Sequence, residues 1–355
     1  MQILRSLVLA LTIGFAVPVE AVETRKPLMP VESTDAYELL ELEATIRKVP
    51  PESFDLLRSV IHDATDAARL ARPSPISRGD ALIVFDAIQA VLAHNNFLQP
   101  TLHADWPLTL GIALTPLSLT PQKLASELAS PDNAKRVQFL QESKPYYFVD
   151  CDAGVQIFLA VAERLGWDFH QVDVPHHSFV RWHLKSGETV NWDWIHGESL
   201  PDDYYGLNSD LGRNLQLRGT YLRSYSRKES NAYYRGLIGS EATDKAVGIR
   251  LLEQALAEAP QISMTQNNLA WAYAIVPGTG RDKLDLALAN AFAALSATPE
   301  DGNRIDTLAC LLGARGDARE LAVALEGYAI THPGFSDPAG FATNRTHLEK
   351  SESCK

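Results

Sequence analysis

Apolar residues recur at helical spacing in three stretches near the N-terminal end of the chain, at 39–46, 54–61 and 81–91. A spacing of three to four residues places such side chains on one face of a helix, so the pattern predicts three amphipathic helices. Pro50 and Pro73 lie between them, where proline interrupts a helix. We therefore predict a helical N-terminal region, whereas the stretch 100–121, rich in Thr, Leu and Pro, indicates no particular element.

A further helix and a small sheet are predicted after Asp150. Apolar residues at helical spacing run from Val155 to Leu165, and they lie between a good capping residue, Asp150, and a good terminator, Gly166. The segments that follow favour β structure. They predict strands at 169–174, 178–184 and 189–194, the last two joined by a turn at 185–188. A helix packed on an antiparallel sheet is an α+β core.

Beyond about residue 228 the sequence is helical again and repeats itself. Pro260, Pro299 and Pro333 each end a segment, 39 and 34 residues apart, and the run 268–274 corresponds to 307–313. These segments resemble tetratricopeptide repeats. The resemblance implies stacked helix pairs that present a concave surface to a peptide or protein partner.

The net charge and the first residues bear on partners and location. A formal charge of -12 without a basic cluster argues against nucleic acid as a partner, because phosphate binding needs a basic face. Residues 1–21 have the pattern of a signal peptide: a basic start, an apolar run at 6–17 and small residues before Val22. The apolar run is too short to span a bilayer, although an uncleaved anchor is the alternative. We expect an exported, periplasmic protein with no membrane span after cleavage.

Three cysteines, Cys151, Cys310 and Cys354, are too few for a disulfide scaffold. Cys310 lies in an apolar helical run and is most simply a small buried residue, and a bridge from it to Cys354 is supported only by their number. Cys151 is therefore the thiol that needs a separate explanation.

Cys151 lies at the predicted start of a helix, where unpaired N–H groups and the helix dipole favour an anionic sulfur. Two histidines follow at 176–177, and Asp193 lies on the next predicted strand. A thiol, an imidazole and a carboxylate in this order are the components of an acyl-transfer site. The neighbouring Asp150 and Asp152 would raise the pKa of the thiol, and a nearby imidazolium would lower it.

Residues 146–205 resemble the transglutaminase-like superfamily. The similarity lies in three motifs, Asp150-Cys151-Asp152-Ala153-Gly154, Pro175-His176-His177-Ser178-Phe179-Val180-Arg181-Trp182 and Asn191-Trp192-Asp193. The resemblance implies a papain-type site in which Cys151 is the nucleophile, His177 the general base and acid, and Asp193 the orienting acid. His176 is the alternative base. It also implies acyl transfer through a thioester, which ends in hydrolysis or in attack by an amine. Backbone N–H groups at the helix start and an upstream side chain would hold the oxyanion.

Aromatic residues surround the predicted site. Tyr204 and Tyr205 are predicted at the rim of the cleft, where they would contact substrate. Strand alternation places Trp182 and Trp192 on the core face, opposite the site residues. For Arg181 we predict a salt bridge.

A metal site is the competing interpretation of the same region. Ligand atoms are available at His176, His177, His183, Asp193, His196 and Cys151. However, the sequence has neither two histidines at metalloprotease spacing on a helix nor paired-cysteine spacing. We therefore favour thiol chemistry that needs no metal and no organic cofactor.

Together these patterns predict an α+β fold: a signal peptide at 1–21, a helical and transglutaminase-like unit at 22–215 with its core at about 75–205, tetratricopeptide-like repeats at 228–335, and a tail at 336–355. The predicted function is thiol-dependent acyl transfer on a peptide or amide substrate, with hydrolysis favoured over cross-linking. The alternative is a non-catalytic module that binds a peptide or protein in the same cleft and on the repeats.

Overall fold

The computed structural model describes residues 27–100, 109–174, 177–206, 220–299, 301–316, 318–333, 338–350, 352 and 354. Over these residues the protein is mixed α/β and mostly helical, with small sheets and a C-terminal helical array. This confirms the predicted fold class at a coarse level. The predicted signal peptide and the alternative base His176 lie outside the described residues.

Three helices form the N-terminal region, as predicted: Asp35–Ala44 (α1), Pro51–Ala71 (α2) and Arg78–His94 (α3). Helix α2 begins at the second of two prolines, where the missing N–H costs no intrahelical bond. Ser77 starts α3 through a capping box with Asp80. A 3-10 turn at Val31–Ser33 precedes α1, and α2 packs against α3.

Short elements connect α3 to Cys151. They are β1 (Phe97–Leu98), α4 (Leu110–Ala113), α5 (Pro121–Leu128), α6 (Pro131–Ala134), a 3-10 turn (Val137–Phe139) and β2 (Tyr147–Phe148). Strands β1 and β2 pair in parallel, and the Val149 N–H donates to the Leu98 carbonyl. This pairing anchors the chain immediately before Cys151.

The central helix and the three-stranded sheet form as predicted. Helix α7 spans Cys151–Leu165, is capped by Asp150 and ends at Gly166, whose positive φ of 67° suits a residue without Cβ. Strands β3 (Phe169–Val174), β4 (His177–His183) and β5 (Thr189–Trp192) pair antiparallel in the order β3-β4-β5. Strand β5 is two residues shorter than predicted because Asp193 leaves the ladder and opens a turn.

An aromatic cluster packs one face of the sheet against the helices. The Trp192 ring stacks on Phe85 of α3 at 5.3 Å, and the Trp182 ring meets Phe85 edge-on at 5.7 Å. Phe85 also contacts Phe158 of α7 at 6.1 Å. Both tryptophans are nearly fully buried, which confirms their prediction as core residues.

The C-terminal array consists of helices that pack against their neighbours in sequence. After a short helix, α8 (Asp202–Gly206), they are α9 (Arg227–Ser240), α10 (Lys245–Glu258), α11 (Ser263–Ile275), α12 (Arg281–Ala297), α13 (Gly302–Arg315), α14 (Arg319–Thr331) and α15 (Pro338–Glu349). Helices α10, α12 and α14 end two residues before Pro260, Pro299 and Pro333, as the repeat pattern predicts. The segment predicted as a tail instead adds helix α15, which packs against α14.

The array is joined to the rest of the protein through its first helix. Tyr234 and Ile238 of α9 are fully buried in the same apolar cluster as α2, α3 and α7. Cys310 and Cys354 form a disulfide that ties the C-terminal end of the chain to α13, a bridge the sequence left open. In the described part of the chain, no helix has both the length and the apolar character needed to cross a membrane.

Candidate functional site

Cys151 is the first residue of α7. The residue is half-buried and is the free cysteine among the described residues. The preceding Asp150 is the N-cap, and its carboxylate accepts the Ala153 N–H at 2.9 Å. The thiol therefore lies at the positive end of a 15-residue helix, as predicted.

Residues next to Cys151 attach the start of α7 to β4, which begins at His177, and to the end of β5, which precedes Asp193. The Ser178 hydroxyl donates to Asp152 Oδ1 at 2.7 Å, which places β4 beside the thiol. The Trp194 indole N–H donates to the Asp150 carbonyl at 3.1 Å, which places the end of β5 there as well. Gly154 allows this approach, because a Cβ at that position would lie 2.0 Å from Trp194 Nε1. Sequence neighbours of Cys151 thus contact sequence neighbours of His177 and Asp193.

His177 and Asp193 form a hydrogen-bonded pair. The His177 Nε2 to Asp193 Oδ2 distance is 2.7 Å. Because an ionised carboxylate only accepts hydrogen bonds, His177 carries its proton on Nε2, and Nδ1 is the nitrogen available for proton transfer. The His177 side chain is 19% exposed, whereas that of Asp193 is fully buried. This is the imidazole–carboxylate half of the predicted triad.

The buried Asp193 carboxylate is surrounded by donors. Its Oδ1 accepts the backbone N–H groups of Ile195 and His196 at 3.0 and 3.1 Å. Its Oδ2 accepts the Tyr205 hydroxyl at 2.7 Å, in addition to His177, and His196 Nδ1 lies 2.9 Å away. Burial alone would raise the pKa of Asp193, but the contacts with His177 and His196 outweigh it and hold the pKa well below its usual range. Asp193 is therefore ionised.

The thiol is held in its protonated form. Burial, and then the charges of Asp152 and Asp150, raise the pKa of Cys151 well above its ordinary value. Hydrogen bonding from Ser178 acts in the opposite direction and is weaker. Among the described residues, no hydrogen bond joins the Cys151 sulfur to the His177 imidazole. Of the predicted triad, the hydrogen bond between His177 and Asp193 is thus formed, whereas the hydrogen bond between His177 and the thiol is not.

The two tyrosines predicted as substrate contacts lie in different environments. Tyr205 is half-buried, stacks on Phe179 at 4.4 Å and donates its hydroxyl to Asp193, so that hydroxyl supports the carboxylate. Tyr204 is 47% exposed and lies edge-on to His196 at 5.7 Å, a position at the rim.

The remaining charged residues and candidate metal ligands of the region either lie near Asp193 or belong to other clusters. Arg181 forms its predicted salt bridge, with Asp202. His183 bonds the Ser224 hydroxyl through Nε2 at 2.8 Å and belongs to a different cluster. Of the candidate metal ligands, His177, Asp193 and His196 come together, with their ligand atoms all within 4.8 Å of one another.

Two contributors to the site were missed by sequence reasoning. The sequence pattern offers His196 only as a metal ligand, although its spacing of three residues from Asp193 fits a turn that folds back onto the carboxylate. Arg136 is 2% exposed and donates to the carbonyls of Trp194 and Ile195 at 2.5 and 2.8 Å, with its guanidinium 4.9 Å from the Trp194 ring. Nothing in the local sequence marks Arg136, because these contacts span almost sixty residues.

No protein-family model matches this chain, and no curated protein is similar to it at a significant level. The transglutaminase-like and tetratricopeptide resemblances therefore rest on the sequence motifs quoted above.

Proposed function

We propose that the protein is an exported thiol-dependent acyl transferase that acts on an amide and more readily hydrolyses it than cross-links it. The observation that carries the proposal is the His177 Nε2 to Asp193 Oδ2 bond of 2.7 Å, formed on strand ends that are attached to the Cys151 helix start. Such a pair orients an imidazole and stabilises its protonated form. The thiol of Cys151, at the helix N-terminus, supplies the nucleophile.

The proposed reaction assigns a role to each of these residues. As substrate binds, His177 Nδ1 takes the proton of the Cys151 thiol, and the sulfur attacks the amide carbon. Backbone N–H groups at the start of α7 stabilise the oxyanion. The imidazolium, held by Asp193, then protonates the leaving amine as the carbon–nitrogen bond breaks and a thioester forms. Water, deprotonated by His177, attacks the thioester and releases the acid and the thiol.

Acylation by an activated ester tests this mechanism without knowledge of the substrate. We expect a short-chain aryl ester to release one equivalent of phenolate in a burst and to leave a thioester on Cys151 that intact mass spectrometry detects. Cys151→Ala should abolish the thioester. His177→Gln should slow acylation at least about 100-fold, the lower range of general-base catalysis.

His183→Gln is the matched control, because His183 lies on the same strand and bonds Ser224 away from Asp193. This variant should acylate at the wild-type rate. Equal acylation rates of wild type and His177→Gln would refute the role of the imidazole. A wild-type protein that forms no thioester would refute the proposed enzymatic function.

A non-catalytic binding module is the second candidate, and one observation favours it. Burial together with Asp152 and Asp150 raises the pKa of Cys151, and the thiol has no hydrogen bond to His177. In this function the cleft and the tetratricopeptide-like array hold a peptide or protein without chemistry. Peptide binding that is equally tight in wild type and Cys151→Ala, with no acylation of either, would support this candidate.

A further inference from the structure

A compact set of nitrogen and oxygen ligands surrounds Asp193. His177 Nε2 and His196 Nδ1 approach the same carboxylate oxygen, Oδ2, at 2.7 and 2.9 Å. All three atoms lie within 4.8 Å of one another. Two imidazole nitrogens and one carboxylate oxygen are a ligand set used by zinc and by other first-row divalent metals.

The distance of each imidazole nitrogen from Asp193 Oδ2 is close to the spacing of neighbouring ligands in a metal site. Metal–nitrogen and metal–oxygen bonds of about 2.0–2.2 Å, at angles between octahedral and tetrahedral, separate neighbouring ligands by roughly 2.8–3.6 Å. The two measured separations fall just below or at the lower end of this range. The two imidazole nitrogens lie within 4.8 Å of each other, and outward shifts of the imidazoles would place a metal between these nitrogens and Oδ2.

The surroundings of Asp193 also suit a ligating carboxylate. Its Oδ1 is fixed by the backbone N–H groups of Ile195 and His196, and the Tyr205 hydroxyl donates to Oδ2. Hydrogen bonds of this kind orient ligating carboxylates in metal sites. The side chains of His177 and His196 are 19% and 33% exposed, whereas the His196 Nδ1 atom itself is buried, so an entering ion would reach it as the imidazole moves outward.

We infer that His177 Nε2, Asp193 Oδ2 and His196 Nδ1 form a site for a divalent transition metal of the zinc type. Binding replaces the proton on His177 Nε2 with the metal, and that proton is released to solvent. The site is independent of the thiol, although the metal and the proposed proton transfer both use His177. It revises the expectation from sequence that no metal is bound in this region.

The test is metal titration of the Cys151→Ala variant, in which the thiol cannot capture the ion. We expect Co²⁺ to bind with one-to-one stoichiometry and to give visible absorption, and Zn²⁺ to displace it and to raise the thermal midpoint. Adding His196→Ala to this variant should weaken Zn²⁺ binding at least about tenfold and remove the thermal shift.

Adding His183→Gln instead is the matched control and should leave both readouts unchanged. Equal Zn²⁺ affinity with and without His196, measured on variants that keep the parent circular dichroism spectrum, would overturn the site. If His196→Ala does not fold, His196→Gln provides the same test. Because the titration lacks Cys151, failure of the acylation experiment and failure of this one are independent.

Discussion

Gly154→Ala is expected to disturb the junction that holds the two halves of the candidate site together. A Cβ at residue 154 would lie 2.0 Å from Trp194 Nε1 and 2.2 Å from its Cε2. Trp194 is fully buried, and the guanidinium of Arg136 lies 4.9 Å from its ring. The indole therefore cannot move aside without displacing either the start of α7 or the turn that carries Asp193.

The magnitude follows from three contributions. Overpacking a filled core costs about 1–3 kcal/mol, and loss of the indole bond to the Asp150 carbonyl costs about 1 kcal/mol. Replacing Gly by Ala inside a helix stabilises the helix by about 1 kcal/mol, which offsets part of this loss. We expect a net loss of about 2 kcal/mol in the free energy of unfolding, together with slower acylation of Cys151, because Asp193 shifts relative to the thiol.

Guanidinium denaturation followed by circular dichroism measures the first effect, and the aryl ester burst measures the second. Gly340→Ala is the matched control: Gly340 lies in helix α15, and its added Cβ would meet nothing within 4 Å. That variant should be neutral or more stable by up to about 1 kcal/mol. If Gly154→Ala is as stable as Gly340→Ala and acylates at the wild-type rate, the argument that Trp194 positions the site is wrong.

Three further predictions concern individual polar groups. Tyr205→Phe removes a donor to buried Asp193 while keeping the ring, so the free energy of unfolding should fall by about 1–3 kcal/mol in denaturant titration. Burial and the charge of Asp35 raise the pKa of Glu163 to about 7, so the folded state retains a proton that the unfolded state loses. The free energy of unfolding should therefore decrease as pH rises from about 4.3 to about 7. In Glu163→Gln the thermal midpoint should vary less with pH over that range than in wild type. Burial raises the pKa of Glu326 to about 10, so its carboxyl group is protonated at pH 8 in the folded protein. The free energy of unfolding of Glu326→Gln at pH 8 should therefore be no lower than that of wild type.

The elements of the site could be predicted because their signals are local. Asp150 caps α7 through the N–H of Ala153, three residues further on, and Gly166 ends the helix with a positive φ. The hairpin turn at 185–188 falls between β4 and β5 as predicted. In each case the residue type, the backbone conformation and the hydrogen-bond partner lie within a few positions of one another.

The environment of the chemistry could not be predicted because it is made by distant contacts. The Ser178 hydroxyl on Asp152 and the Arg136 guanidinium on the Trp194 carbonyl join residues far apart in the chain. Tyr205 was predicted as a substrate contact from its place in sequence, whereas its hydroxyl bonds Asp193. Each of these contacts depends on the direction in which a side chain points. A single sequence predicts that direction only for residues in regular helices and strands.

The acidic neighbours of Cys151 raise the pKa of its thiol, as the sequence predicts. A helix start favours an anionic sulfur, but here Asp150 is the cap and Asp152 holds α7 to β4, so two carboxylates already occupy the positive end of the helix. Both raise the pKa of the thiol. Because these acids cap the helix and attach it to β4, deprotonation of Cys151 in the proposed mechanism depends on His177, which Asp193 holds through Nε2. Any ligand that takes His177 Nε2 away from Asp193, a metal ion included, would then suppress the thiol chemistry without touching the sulfur.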